Sequence, residues 1–403
     1  MKPMYKGASQ SGLSRRAALK MFGAAASLAF VPRMAGLALP PQQRADYPTG
    51  PEHMAMRNLA LAFMNQFYVP ALSVAVVRDV GFVYEGAFGK SDAEHQQQCT
   101  DATVFRIASV SKPITSVAIF TLVEQNKVHL SDKVFGPSGI LGNDYSKGPY
   151  KQYVTDVTVD HLLTHTSGGW SDDSTDPMFR DKGWDFTKLI SWTLENLPLT
   201  SPPGERFVYS NFGYCVLGRV IEKITGQSYA NYVQQAVLGP CGITDMQIGG
   251  DSSKHPAPNE AVYFGQFNEK PYDINVPRLD STAGWIASPS DLCRFAFHLG
   301  GGSAAAPSIL KPETIRVMTT PSPAYPQSSP ARYARGWMVG DNGAGNWWHN
   351  GSLPGSTSIL VRLPNGMCWA ALINTRTQPS ATIDNALDQL VWNMAGQVRA
   401  WNM

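Results

Sequence analysis

Ser109 and Lys112 stand three residues apart at the head of an apolar run containing Ile114, Val117, Ala118, Ile119, Phe120, Leu122 and Val123. A segment apolar on all sides reads as a buried helix. Pro113 is tolerated only in a first turn, so the helix should begin close to Ser109. The i, i+3 spacing then puts hydroxyl and amine on one face. Burial and the positive end of the helix both lower the pKa of such a lysine. A neutral amine beside a hydroxyl can accept its proton, which makes a nucleophile without histidine. S-x-x-K alone is a degenerate pattern, and Ser is a common N-cap. A second copy, Ser308-Ile309-Leu310-Lys311, precedes Pro312 in a loop, where its lysine is expected to be solvated.

Two further stretches carry compatible groups. Tyr209-Ser210-Asn211 ends a Pro/Gly loop and leads into a helical pattern with Tyr214, Leu217, Val220, Ile221 and Ile224, stopped by Gly226. A phenol beside a cationic lysine should have a lowered pKa and can relay protons. The Asn211 amide can hold a substrate carbonyl. Trp347-Trp348-His349-Asn350-Gly351-Ser352 reads as a strand end. Gly351 would let a substrate backbone approach the strand. The backbone amides of Ser352 and Ser109 could together hold a developing oxyanion. Tyr229-Ala230-Asn231 and His298-Leu299-Gly300 repeat parts of these patterns, but read as packing at a helix start and a helix end. Trp347 and Trp348 are candidates for a pocket wall, with core packing the plainer reading.

These groups need elements to hold them. A linker with several Pro precedes a helix over 51–67. Ala71–Arg78 and Gly81–Phe88 read as a hairpin broken at Asp79-Val80-Gly81. From about 104 to 330 the pattern is mostly helical with long polar loops. Strands return at Arg335–Val339, Asn346–His349, Ser356–Leu363 and Met367–Asn374, with a turn at Pro364-Asn365-Gly366, and a helix over Thr382–Val398 closes the chain. The expectation is an α+β fold: an antiparallel sheet built from N- and C-terminal segments with flanking helices, plus a helical lobe over about 109–330.

S-x-x-K, Y-x-N about 100 residues on and H-x-G about 140 further occur in the order found in penicillin-recognising serine hydrolases. The chain resembles the branch of class C β-lactamases, D-alanyl-D-alanine carboxypeptidases, D-aminopeptidases and related esterases. Asp160-His161-Leu162-Leu163-Thr164-His165-Thr166-Ser167-Gly168-Gly169 and Ala283-Gly284-Trp285-Ile286-Ala287-Ser288-Pro289-Ser290-Asp291 add to the likeness, which spans about 55–395. The resemblance implies a β-lactamase/transpeptidase-like fold over 55–403, Ser109 as nucleophile, Lys112 as its base and Tyr209 as general acid/base. It makes Asn211, His349 and Gly351 substrate-binding residues. It implies no cofactor and a small-molecule or peptide substrate. His349 stands where class C β-lactamases carry a lysine. A lysine offers a fixed charge to a substrate carboxylate, which a neutral histidine does not. Ester or D-amino-acid peptide cleavage therefore ranks above β-lactam hydrolysis. The alternatives are a class C-type β-lactamase and a non-catalytic penicillin-binding-like protein.

Composition narrows the rest. Residues 1–38 hold six basic and no acidic side chains; taking those six from 33 leaves 27 basic against 31 acidic. A mildly acidic body does not attract a phosphate backbone, so nucleic acid is not an expected partner. Ser14-Arg15-Arg16-Ala17-Ala18-Leu19-Lys20 resembles a twin-arginine export signal. The apolar stretch Met21–Val31 after it is too short to span a bilayer. Residues 1–38 are thus expected to be a signal peptide and 39–54 a linker, giving a periplasmic or secreted protein with no stable membrane span after processing. None of Cys99, Cys215, Cys241, Cys293 and Cys368 forms a C-x-x-C pair, so no zinc ribbon is expected. His161 and His165, four apart, lack the glutamate of H-E-x-x-H, so no metal site is expected either.

Overall fold

A computed structural model describes residues 50–397 apart from 79, 80, 93, 95, 147, 255, 301–306, 341 and 342. The expected signal peptide, most of the linker and the first residues of the hairpin break lie outside the described residues.

The chain begins with α1 (Pro51–Phe67), which starts on a proline and ends where Tyr68 turns left-handed, its N–H reaching Met64 O. Two strands follow, β1 (Ala71–Arg78) and β2 (Gly81–Asp92), then a two-residue β3 (Gln97–Gln98). The C-terminal part supplies β4 (Ala331–Tyr333), β5 (Met338–Gly340), β6 (Trp347–Leu353), β7 (Ser356–Arg362) and β8 (Cys368–Ile373). All eight join one sheet in the order β3-β2-β1-β8-β7-β6-β5-β4. The two ends of the chain meet where β1 pairs antiparallel with β8, Leu72 opposite Ile373.

Near-continuous apolar sequence in β1 and β8 follows from this central place. Every residue of β8 is buried, so both faces of the sheet are covered. One helix against it is Pro289–Phe297, packed on β1 and β8; another is the closing helix Ser380–Ala395, which also packs on α1. The closing helix starts two residues earlier than expected, directly after the extended Pro379, and ends at Ala395. The strand expected at Arg335 begins only at Met338, and β4 precedes it. Gly336 takes φ +82° there and lets Ala334 N–H reach Trp337 O. Arg335 faces away from the sheet and pairs with Asp160.

The middle of the chain is mainly helical, as expected, but also builds a small sheet in which Trp285–Ala287 pairs with Phe105–Arg106 and with Gln247–Ile248. That pairing fixes the segment leading to Ser109. The buried helix is Ser111–Glu124, preceded by a short 3-10 turn over Ala108–Val110. Ala108 stands at φ +48°, a left-handed conformation costly for a residue with a β-carbon. The turn is held by Ser358 of β7, whose hydroxyl donates to Ile107 O at 2.7 Å.

Gly351 in β6 is the close-approach point. A β-carbon there would lie 2.2 Å from Ile107 O, 2.3 Å from Ser358 Oγ and 3.0 Å from Ser109 N. The absent side chain therefore makes room for the protein's own turn at Ser109, where the sequence had suggested room for substrate. Gly351→Ala is expected to lower unfolding stability by about 1–3 kcal/mol, the range for overpacking a tight contact. Gly81→Ala, with nothing near its β-carbon, should stay within about 0.5 kcal/mol. Urea titration of both variants checks this; equal stability would remove the packing argument.

Candidate active site

Lys112 is fully buried in the first turn of the Ser111–Glu124 helix. Its amine contacts Ser109 Oγ at 2.9 Å, Asn211 Oδ1 at 2.8 Å and Thr282 O at 3.2 Å. The last two can only accept. A neutral amine has two N–H groups for them, which leaves its lone pair toward the Ser109 hydroxyl. Burial lowers the Lys112 pKa to about 7, against a partial upward pull from Asp172 and Asp176. This geometry can deprotonate a serine hydroxyl near neutral pH.

The Tyr209 phenol lies beside Ser109, whose hydroxyl partly offsets the rise in its pKa, and Lys112 Nζ lies 4.8 Å from the Tyr209 ring centroid. The expectation of a lowered phenol pKa is not met. Burial pushes it well above the ordinary value, with Asp172, Tyr214 and Asp176 adding to the rise. Lys112 is itself near neutrality, so no fixed cation offsets desolvation. The resting phenol holds its proton and is poised as a donor.

Asn211 opens the helix Asn211–Thr225, capped by Ser210 Oγ accepting from Gly213 N–H. Its amide bridges two groups: Oδ1 accepts from Lys112 and Nδ2 donates to Asp176 Oδ2 at 2.7 Å. One N–H of that amide remains for a substrate oxygen.

His349 is 3 % exposed, and both ring nitrogens are occupied. Nδ1 meets Asn350 O at 2.6 Å and must carry the hydrogen; Nε2 accepts from the Tyr333 hydroxyl at 3.2 Å. Burial drops its pKa to about 3, with Lys112 pushing the same way. The imidazole supplies neither charge nor a free donor to a ligand.

Ser352 is placed by the β6–β7 hairpin. Leu353 opposes Ser356 across the two-residue turn Pro354-Gly355, and Ser352 opposes Thr357. Opposed residues alternate between exchanging hydrogen bonds and exchanging none, and the pair at a two-residue turn exchanges them. Ser352 N–H therefore points away from β7. On that edge β5 pairs only with Trp347 and Trp348. The Ser109 turn packs against β6 at the neighbouring Gly351, so the amides of Ser109 and Ser352 lie in one region.

The structure thus brings Ser109, Lys112, Tyr209, Asn211, His349, Gly351 and Ser352 together from three distant stretches. The look-alikes stand elsewhere. Lys311 is exposed at a helix start. Tyr229 is buried and bonded to Thr115 and the Trp285 indole. His298 Nδ1 contacts Arg294 O. Trp347 packs in the core beside Trp337 and Arg362. No group of three or more potential ligands able to hold a metal occurs among the described residues. His161 Nδ1 caps its own helix through Thr158 N–H. All five cysteines are buried and unbridged, and no helix among the described residues is long and apolar enough to cross a membrane.

Sequence reasoning missed four groups. Asp172 and Asp176 lie in a polar loop with no motif. Tyr333 sits on β4, which the pattern did not reveal. His165 had been weighed as a metal ligand and as part of a family segment, with no role of its own, yet its carbonyl accepts from Val208 N–H at 2.8 Å and its Nδ1 from Ser210 N–H at 3.0 Å. Its ring lies 4.1 Å from that of Tyr209, the residue between them.

With this geometry in place, comparison with known proteins is specific. The sequence matches the beta-lactamase family over residues 56–391, and the chain belongs to that family, whose members are typically serine hydrolases. It is 24 % identical to the human mitochondrial serine beta-lactamase-like protein LACTB over 85 % of this chain and 80 % of that protein. The octameric penicillin-binding protein homologue from Pyrococcus abyssi shares 26 % identity and a TM-score of 0.67, covering 83 % of this chain and 76 % of the other. The D-amino acid amidase from Ochrobactrum anthropi SV3 is alike in fold, with a TM-score of 0.69 at 20 % identity, covering 86 % of this chain and 99 % of that one.

His349 is expected to remain neutral from pH 5 to 8. Its imidazole NMR signals should not titrate in that window; a midpoint near the usual histidine value of about 6.5 would contradict the buried hydrogen-bond arrangement.

Proposed function

We propose that the chain is an exported serine hydrolase that cleaves an ester or amide bond through an acyl-enzyme on Ser109. The observation that carries this reading is the buried Lys112 amine 2.9 Å from Ser109 Oγ, with its pKa brought to about 7 and the Tyr209 ring centroid 4.8 Å from the same amine.

Lys112 takes the Ser109 proton as Oγ attacks the substrate carbonyl. The amides of Ser109 and Ser352 hold the developing oxyanion. Tyr209 gives its proton to the leaving alkoxide or amine and recovers one from Lys112. Water then attacks the acyl-enzyme, with the same groups moving protons in reverse. Asn211 offers its spare N–H to a substrate oxygen.

The neutral and internally bonded His349 bears on the substrate. A penicillin or a peptide C-terminus brings a carboxylate, and His349 provides no positive charge to hold it. This favours small esters and D-amino-acid amides, including peptides cut away from a free C-terminus, over β-lactams, and the amidase name borne by a neighbour of the same fold agrees. Export to the periplasm or beyond is read from the arginine pair and apolar stretch within residues 1–38.

Turnover of p-nitrophenyl esters, D-amino-acid amides, D-Ala-D-Ala peptides and nitrocefin on one preparation tests the ranking, and nitrocefin as best substrate would reverse it. A fluorophosphonate should add one adduct to wild type and none to Ser109→Ala. Ester turnover should fall by about a thousandfold or more in Ser109→Ala and in Lys112→Met. Lys112 must be neutral to act, so kcat/KM should rise with pH through an acid limb near pH 7. Equal labelling of Ser109→Ala, or no limb between pH 6 and 8, would refute this assignment.

A further inference from the structure

The groups that set the Lys112 proton come from every side of its box. Asp172 and Asp176 approach from the loop after the His161 helix, and His165 from the start of that loop. Tyr209 and Asn211 come from the segment before the next helix, Tyr214 from that helix and His349 from β6. Only the two aspartates can offer negative charge. Of these, Asp176 is 5 % exposed and tied at both oxygens: Oδ1 accepts from Met178 N–H at 2.9 Å and Oδ2 from Asn211 Nδ2 at 2.7 Å.

That second bond has a consequence at Lys112. An amide has one accepting end and one donating end. An ionised carboxylate only accepts, so it holds Asn211 Nδ2 and turns Oδ1 toward Lys112 Nζ, 2.8 Å away. The reversed amide would set oxygen against carboxylate and N–H against ammonium.

We propose that Asp176 is a positioning residue for the Ser109–Lys112 pair: it orients the Asn211 amide and, one residue removed, its charge offsets the cost of placing a proton on the buried Lys112 amine. The inference rests on the hydrolase reading above. When the Ser109 proton passes to Nζ, the new ammonium finds Ser109 Oγ, Asn211 Oδ1 and Thr282 O as acceptors, with Asp176 as counter-charge behind the amide. Burial alone would leave the amine a much weaker base. Burial also raises the Asp176 pKa to about 6, so the counter-charge is present over the pH range in which Lys112 becomes neutral.

The sign of the test follows. Removing the negative charge lowers the Lys112 pKa, so the acid limb moves to lower pH while the weaker base lowers the plateau. A purely structural role would lower the plateau and leave the limb in place. The experiment measures the rate of fluorophosphonate acylation of the full chain by intact mass from pH 5 to 9, in wild type, Asp176→Asn, Asp176→Ser and Asp176→Glu. Asp176→Ser keeps a side-chain oxygen for Met178 N–H, so two charge-removing variants stand should one fail to fold. Both are expected to shift the limb down by about one pH unit and to cut the plateau by about threefold to tenfold. Asp176→Glu should restore the limb. Labelled, folded Asn and Ser variants with the wild-type limb would overturn the inference and spare the hydrolase reading. A wild type that is not labelled at Ser109 would overturn both.

Discussion

A fully buried lysine amine has no water to carry its charge, and the site is built around that fact. Desolvation of an isolated ammonium would suppress its charged form by several pH units. Such a group would be too weak a base to take a serine proton. Here Asn211 Oδ1, Thr282 O and Ser109 Oγ replace water, two aromatic faces lie over the amine, and Asp172 and Asp176 supply distant negative charge. The balance leaves Lys112 near pH 7, where it can both accept and return a proton. The contributors come from several stretches far apart in the chain, so the arrangement exists only in the folded protein.

The same demand explains the backbone at Ser109. Ser109 stands against the part of β6 that β5 leaves unpaired, beside an outward-facing strand amide, while Lys112 stays inside. A left-handed Ala108, a hydroxyl clamp from Ser358 and the missing side chain of Gly351 let the 3-10 turn press against β6. Strain of this kind persists where the surroundings over-determine it. The short pairing of Phe105–Arg106 with Trp285–Ala287 fixes the approach from one side and the helix fixes it from the other.

How much of this was legible in the sequence depended on whether a signal was local. The all-round apolar run after Ser109, with Pro113 in its first turn, located the buried helix. Apolar stretches located β1 and β8, the turn at Pro364-Asn365-Gly366 set β7 against β8, and the Gly/Pro loop before Tyr209 located the start of a helix. Charge state was not local. The Tyr209 phenol was expected to be acidified by a cation, but burial weakens that cation and raises the phenol instead. Asp176 and Tyr333 carry no motif: one lies in a polar loop and the other on a three-residue strand. Each acts only through a partner many residues away, 35 positions to Asn211 and 16 to His349. Gly351 was legible as a place of close approach, but its occupant, the turn at Ser109, was not.

The proposed substrate preference rests on where the site keeps its charges. A lysine in place of His349 would be drawn toward solvent and present an ammonium to the ligand. The imidazole is folded inward instead, its Nδ1–H spent on its own strand and its Nε2 on Tyr333. This inward network trades a ligand-binding cation for rigidity around Tyr209, whose ring is flanked by His165, Tyr333 and His349. Charge that remains near the nucleophile is acidic and lies behind Lys112, where it serves the base. On the proposed hydrolase reading, a site arranged this way would draw its rate from the hydroxyl, amine and phenol it positions.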